Sequence, residues 1–89
     1  MKIRYTKRFS KDLDGIIHDA DLKKRLLDVL EKLQQMDSLG DMSNVRKIQG
    51  YEEYFRIRIG DYRLGIKITK DYIEMLRFLH RKDIYRKFP

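Results

Sequence analysis

The chain has 89 residues and a formal charge of +7, from 21 Lys+Arg against 14 Asp+Glu. That length suits one small domain, residues 1–89, with a modest core. The absence of cysteine excludes disulfides and thiolate metal sites and suits a reducing cytoplasm, and apolar runs of only a few residues make a membrane span or a signal-peptide core unexpected.

Lys2–Thr6 alternates Ile3 and Tyr5 with polar residues and predicts a strand rather than a targeting segment. Ser10 is the expected N-cap of a first helix, with Asp12 in its first turn and Phe9, Leu13, Ile16 and Ile17 at helical spacing. Gly15 falls inside that helix and weakens it by about 1 kcal/mol relative to alanine. Asp19 or Asp21 caps a second helix, whose apolar stripe is Leu22, Leu26, Val29, Leu30, Leu33 and Met36. Residues 37–44, rich in turn formers, predict a loop.

From Val45 the period changes to two. Val45–Ile48 predicts a short strand broken by Gly50. Tyr54–Ile59, Tyr62–Thr69 and Tyr72–His80 predict three more, joined by tight turns at Gly60-Asp61 and near Lys70-Asp71. The tail KDIYRKF predicts one helical turn. The expected fold is α+β: an N-terminal strand, a helical hairpin, then an antiparallel three- to four-stranded sheet with the helices packed on one face. Phe55, Ile57, Ile59, Tyr62, Leu64, Ile66, Ile68, Ile73 and Met75 are the expected helix-facing residues.

Charge is concentrated in the strands and tail. Residues 46–89 hold twelve Lys/Arg and six Asp/Glu, whereas residues 1–45 hold nine and eight. A basic half points to a polyanionic partner. It contains no strongly basic amphipathic helix, which argues against a membrane.

The hairpin YFRIRIGDYR focuses that charge. A two-residue loop at Gly60-Asp61 pairs Ile59 with Tyr62, Arg58 with Arg63, Ile57 with Leu64 and Arg56 with Gly65. The apolar residues then share one face, and Arg58 and Arg63 stand opposed on the other, where like charges are destabilising. Arg56 lies two residues along, across from a glycine that leaves room for a ligand. Carboxylates at Glu52, Glu53 and Glu74 allow a salt-bridged face. A bound anion is the better explanation, because guanidinium forks match phosphate. If the turn at Lys70-Asp71 keeps register, Phe78 lies across from Arg63, and His80, Arg81 and Tyr85 follow nearby. Such a constellation gives an unstacked base a π surface beside phosphate clamps. Arg77 falls on the apolar face in this register, which calls either for snorkelling at the sheet edge or for a slip of the register.

KIQGYEEYFRIRIGDYRLGIKI followed by FLHRKDIYR resembles the RelE/ParE superfamily of toxins from bacterial and archaeal toxin–antitoxin pairs, over nearly the whole chain. The resemblance to RelE-type toxins implies an mRNA interferase that enters the ribosomal A site, cleaves the codon there, and is held in check by a cognate antitoxin. That antitoxin is expected to be RelB-like and acidic, and to reach operator DNA as part of the complex. It is expected to pack around the helical hairpin and the sheet, near Arg63 or in place of the Tyr85 segment.

By position, Arg56 and Arg58 match the family's basic hairpin pair, Arg63 the arginine of the next strand, and Arg81 and Tyr85 its C-terminal basic residue and tyrosine. The best-known pattern has lysine at the hairpin pair. Arginine does not lose its proton, so Arg56 and Arg58 are expected to stabilise charge rather than act as bases. His80 is then the expected titrating group, with Tyr85 as a second proton carrier or a stacking surface, and Glu52 or Glu53 as a remote alternative. Lys47, Lys67, Phe78 and Lys82 are expected RNA contacts. No cofactor is expected, and His18 and His80 make a poor metal-ligand set. The competing readings are a ParE-type toxin that poisons DNA gyrase and an inactive RelE-like nucleic-acid-binding protein.

Overall fold

The computed structural model describes residues 1–36 and 44–89. Its elements run β1 (Lys2–Tyr5), α1 (Lys7–Asp14), α2 (Ala20–Gln35), β2 (Val45–Lys47), β3 (Tyr54–Ile59), β4 (Tyr62–Ile68), β5 (Tyr72–His80) and α3 (Arg81–Lys87). Residues 37–43 of the expected loop lie outside the described residues.

One five-stranded sheet has the order β1-β5-β4-β3-β2. The pairs from β2 to β5 are antiparallel, as expected, and β1 runs parallel to β5 at the far edge, making the sheet wider than the three or four strands predicted. The β3–β4 turn has a positive φ at Gly60 alone (60°), which suits glycine at the first central position of a II′ turn. That turn fixes Arg58 against Arg63 and Arg56 against Gly65, the register that the sequence predicts.

The helical hairpin covers one face. Phe9, Ile16, Leu22, Leu26, Leu30 and Leu33 meet Ile57, Ile59, Leu64, Ile66, Ile73, Met75 and Phe78 in a single buried cluster, with Phe55, Tyr62 and Ile68 partly buried against it. Among the described residues no helix is long and apolar enough to cross a membrane.

Three features of the helices differ from the sequence expectation. Thr6, not Ser10, caps α1: its hydroxyl accepts from Phe9 N and donates to Met75 O, so the helix starts where β1 leaves β5. Gly15 therefore ends the helix instead of weakening its middle, and Ile17 is exposed. Finally, α3 packs on the opposite face of the sheet, through buried Ile84 and Phe88. Asp19 caps α2 as predicted, accepting from Leu22 N.

The β4–β5 register slips by one residue. Ile66 pairs with Met75 but Gly65 pairs with Arg77, leaving Leu76 as the extra residue of a bulge. Beyond the bulge every side chain of β5 exchanges faces. Phe78 pairs with Leu64 and is 1% exposed. Arg77 leaves the core and meets Asp12, with Nε–Oδ2 at 2.8 Å and Nη2–Oδ1 at 3.1 Å, while Asp12 Oδ2 also accepts from Phe78 N at 2.9 Å. The carboxylate of α1 thus takes up a strand-edge N–H just past the end of β1. The hydrogen bond to Asp12 raises the Arg77 pKa above its ordinary value, with burial opposing it. A base raised in this way contributes its full stability below its ordinary pKa and loses it only as pH rises through the folded value. Arg77 therefore stays charged at all working pH.

Candidate nucleic-acid interface

Alternation along β3 and β4 places Arg56, Arg58 and Arg63 on the face away from the hairpin, as the sequence predicts. Strand β2 adds a fourth cation, because Arg46 pairs with Arg56 and shares its face. Helix α3 brings Tyr85 over the patch, with the Arg56 guanidinium carbon 4.5 Å from the ring centroid. Asn44, Arg46, Arg56, Arg58, Arg63 and Tyr85 line one open cavity of about 400 Å³.

None of these four arginines forms an ion pair among the described residues; the pairs there are Arg25–Asp21, Arg77–Asp12 and Arg86–Asp83. Among the described residues, then, Glu52, Glu53 and Glu74 included, no carboxylate makes the salt-bridged face that the sequence allows. Arg63 is fastened through Nη1 to Gly60 O and Tyr62 O, both at 2.9 Å, which holds its guanidinium in place. Arg58 is exposed. Asn44 donates from Nδ2 to Arg58 O at 2.7 Å and accepts from Arg58 N through its own carbonyl, tying the start of β2 to the end of β3. Four guanidiniums clustered without a carboxylate among the described lining residues suit an anion with several oxygens.

The other predicted site residues lie elsewhere. His80 pairs with Tyr62, which puts it on the helix-facing side of the sheet, away from the arginines. Its Nδ1 accepts from Lys82 N at 3.2 Å, so it caps α3. Phe78 is enclosed in the core and has no surface for a base. Both corrections follow from the bulge at Leu76, since a one-residue slip exchanges faces. Lys47 pairs with Phe55 and so belongs to the helix side at the sheet edge. Lys67 is on the arginine face but two residues beyond Gly65, 5.7 Å from the Tyr54 ring centroid and opposite Glu74. Arg81 and Lys82 are exposed in the first turn of α3 and do not line the cavity. Glu52 and Glu53 line a separate cavity with Tyr51 and Lys67. The room expected across from Arg56 at Gly65 is filled by the Phe88 ring.

Arg46 and Asn44 escaped the sequence reading. The signal was present in part: Val45–Ile48 reads as a strand, and pairing it with β3 would have set Arg46 beside Arg56. Nothing local specifies that register. Among the described residues no group of three or more His, Cys, Asp and Glu side chains is placed to hold a metal ion.

The chain thus presents a basic cavity on one face of a five-stranded sheet and a helical hairpin on the other. The chain belongs to the family described as ParE toxin of type II toxin-antitoxin system, parDE, whose model it matches over residues 3–85. It is 42% identical to Toxin RelE3 of Methanocaldococcus jannaschii over 90 residues, all of both chains. Its fold resembles the crystal structure of a RelB-RelE antitoxin-toxin complex from Methanococcus jannaschii, with a TM-score of 0.81, 40% identity, and coverage of 97% of this chain and 99% of that one. At 19% identity, a chain of the DinJ-YafQ complex of E. coli shares the fold alone, with a TM-score of 0.68 over 94% of this chain and 97% of that one. The protein is a RelE-type toxin of a type II toxin–antitoxin system.

Proposed function

We propose that this toxin is a metal-independent endoribonuclease that cleaves mRNA codons in the ribosomal A site and so stops translation in the cytoplasm. One observation carries the reading: four guanidiniums and an exposed phenol surround a single cavity, with no carboxylate among its described lining residues. In the proposed reaction the ribose 2′-oxygen attacks the adjacent phosphorus and the bond to the 5′-oxygen breaks, leaving a 2′,3′-cyclic phosphate and a 5′-hydroxyl. Arg56, Arg58 and Arg63, with Arg46, hold the charge that develops on the phosphorane oxygens. Tyr85 gives its proton to the leaving 5′-oxygen. An arginine cannot take the 2′-hydroxyl proton. With His80 on the other face, that proton passes to solvent or to a ribosomal group, in keeping with a need for the ribosome.

The partner in this reading is an acidic, RelB-like antitoxin, supported by the RelB-RelE complex of the similar archaeal structure. Acidic side chains would neutralise the arginine face, and the resulting complex would carry the toxin to operator DNA.

Primer extension on a reporter mRNA, with and without translating ribosomes, tests the activity. Cleavage within codons that requires ribosomes is expected. Arg58→Ala should lower it by about 100-fold or more, as loss of one charge-stabilising donor does elsewhere. Arg58 is the cleaner variant because Arg63 also anchors the β3–β4 turn. The family description also names ParE, which favours a second reading as a gyrase poison. Folded protein that cleaves nothing but alters gyrase supercoiling would establish that reading instead.

A further inference from the structure

Phe88 takes no part in the reaction above, yet its ring fills the space left by the missing side chain of Gly65. A Cβ at residue 65 would come within 2.8 Å of the Phe88 ring. Gly65 does not have a positive φ, so close approach rather than backbone conformation is what requires glycine there. Phe88 is 7% exposed, lies 5.9 Å from the Tyr54 ring, and follows Ile84, which is fully buried. Between them Tyr85 is 65% exposed and is held over Arg56 by a cation–π contact.

Helix α3 has seven residues, too few to hold its shape without tertiary contacts. Its start is fixed by continuity with β5 and by the Arg81 N–H donated to Asp61 O at 2.8 Å, and its far end by the burial of Ile84 and Phe88. Phe88 is the C-cap of α3, with extended backbone, and its N–H donates to Ile84 O at 2.9 Å, so the residue is fastened to the last turn that carries Tyr85. Arg56 and Gly65 are a direct cross-strand pair. The end of α3 therefore meets this pair at two points, with Tyr85 on the Arg56 guanidinium and Phe88 in the socket at Gly65.

We propose that Phe88 is a positioning residue, seated on Gly65 so that α3 carries Tyr85 to its place above Arg56. Its effect on cleavage rests on the endoribonuclease reading; its effect on where Tyr85 sits does not.

Two measurements on the full chain test this. The first is the NMR shift of the Arg56 Nε proton, which the Tyr85 ring current should move upfield. That shift should be lost in Phe88→Ala and in Gly65→Ala, which displaces the ring without removing it, and largely kept in Phe88→Leu. The second is ribosome-dependent cleavage. In Phe88→Ala kcat should fall by about 100-fold, the cost of a small misplacement, with KM unchanged. In a Tyr85→Ala background the same change should cost nothing further. An Arg56 resonance unmoved in folded Phe88→Ala and Gly65→Ala would overturn the proposal, as would a full additional loss in the Tyr85→Ala background. If Phe88→Ala does not fold, Gly65→Ala decides. If the unaltered protein does not cleave, the nuclease reading fails and the Arg56 resonance alone decides the positioning role.

Discussion

On its helix side the sheet presents Ile57, Leu64, Ile66, Ile73, Met75 and Phe78, none more than 1% exposed, while its other side presents Arg56, Arg58 and Arg63 around an open cavity. Ile57, Leu64 and Ile66 alternate with the arginines along β3 and β4, and Ile73, Met75 and Phe78 join them from β5 on either side of its bulge. The helix side spends its side chains on stability, and the other side tolerates opposed like charges that a stability-driven sheet would avoid. On that second face α3 covers part of the sheet with Ile84 and Phe88, and the cationic end stays open. The division teaches that substitutions should separate cleanly into those that alter folding and those that alter the RNA chemistry proposed for the arginine side, the RNA side of that proposal.

The strongest way to break that division is Phe78→Ala. A core phenylalanine should cost about 4 kcal/mol on truncation, read as a lower urea midpoint. Unchanged stability with weakened RNA binding would put Phe78 back on the RNA side. Next is Asp12→Ala, which strands the half-buried Arg77 and frees the Phe78 N–H. A loss of about 3 kcal/mol is expected, and less for Asp12→Asn, which keeps an acceptor for that N–H. Because Arg77 holds its proton well into the alkaline range, raising the pH from neutral to about 9 should leave that difference unchanged, measurable by thermal melts.

His80 gives the smallest and sharpest test. As an N-cap it should be replaced well by Asp, whereas His80→Ala should cost about 1 kcal/mol. Cleavage by His80→Asp should therefore stay near that of the unaltered chain. A fall of about 100-fold in a folded His80→Asp protein would instead make His80 a proton carrier and bring it to the RNA side.

Much of the arginine site was legible. Arg56, Arg58 and Arg63 were placed correctly because a two-residue turn and strict alternation leave one register for the hairpin. Tyr85 reached the site through a helix longer than the single turn expected from KDIYRKF. His80 and Phe78 were misplaced by a single bulged residue, and no alternation in YIEMLRFLH announces it. The one local clue was Arg77, a charge that an unbroken register would have pushed into the core. Burying it there would have been costly, and the slip brings it to Asp12 instead.

The sequence by itself determined the elements, the hairpin register and the concentration of charge on one side, because turn geometry and two-residue periodicity act over a few neighbours. Only the tertiary structure decided which strand β1 joins, where β5 slips, and that α3 folds back to set Phe88 on Gly65. Each of those depends on partners distant along the chain: β1 on β5, Arg77 on Asp12, and the Phe88 ring on a space that exists only because residue 65 has no side chain.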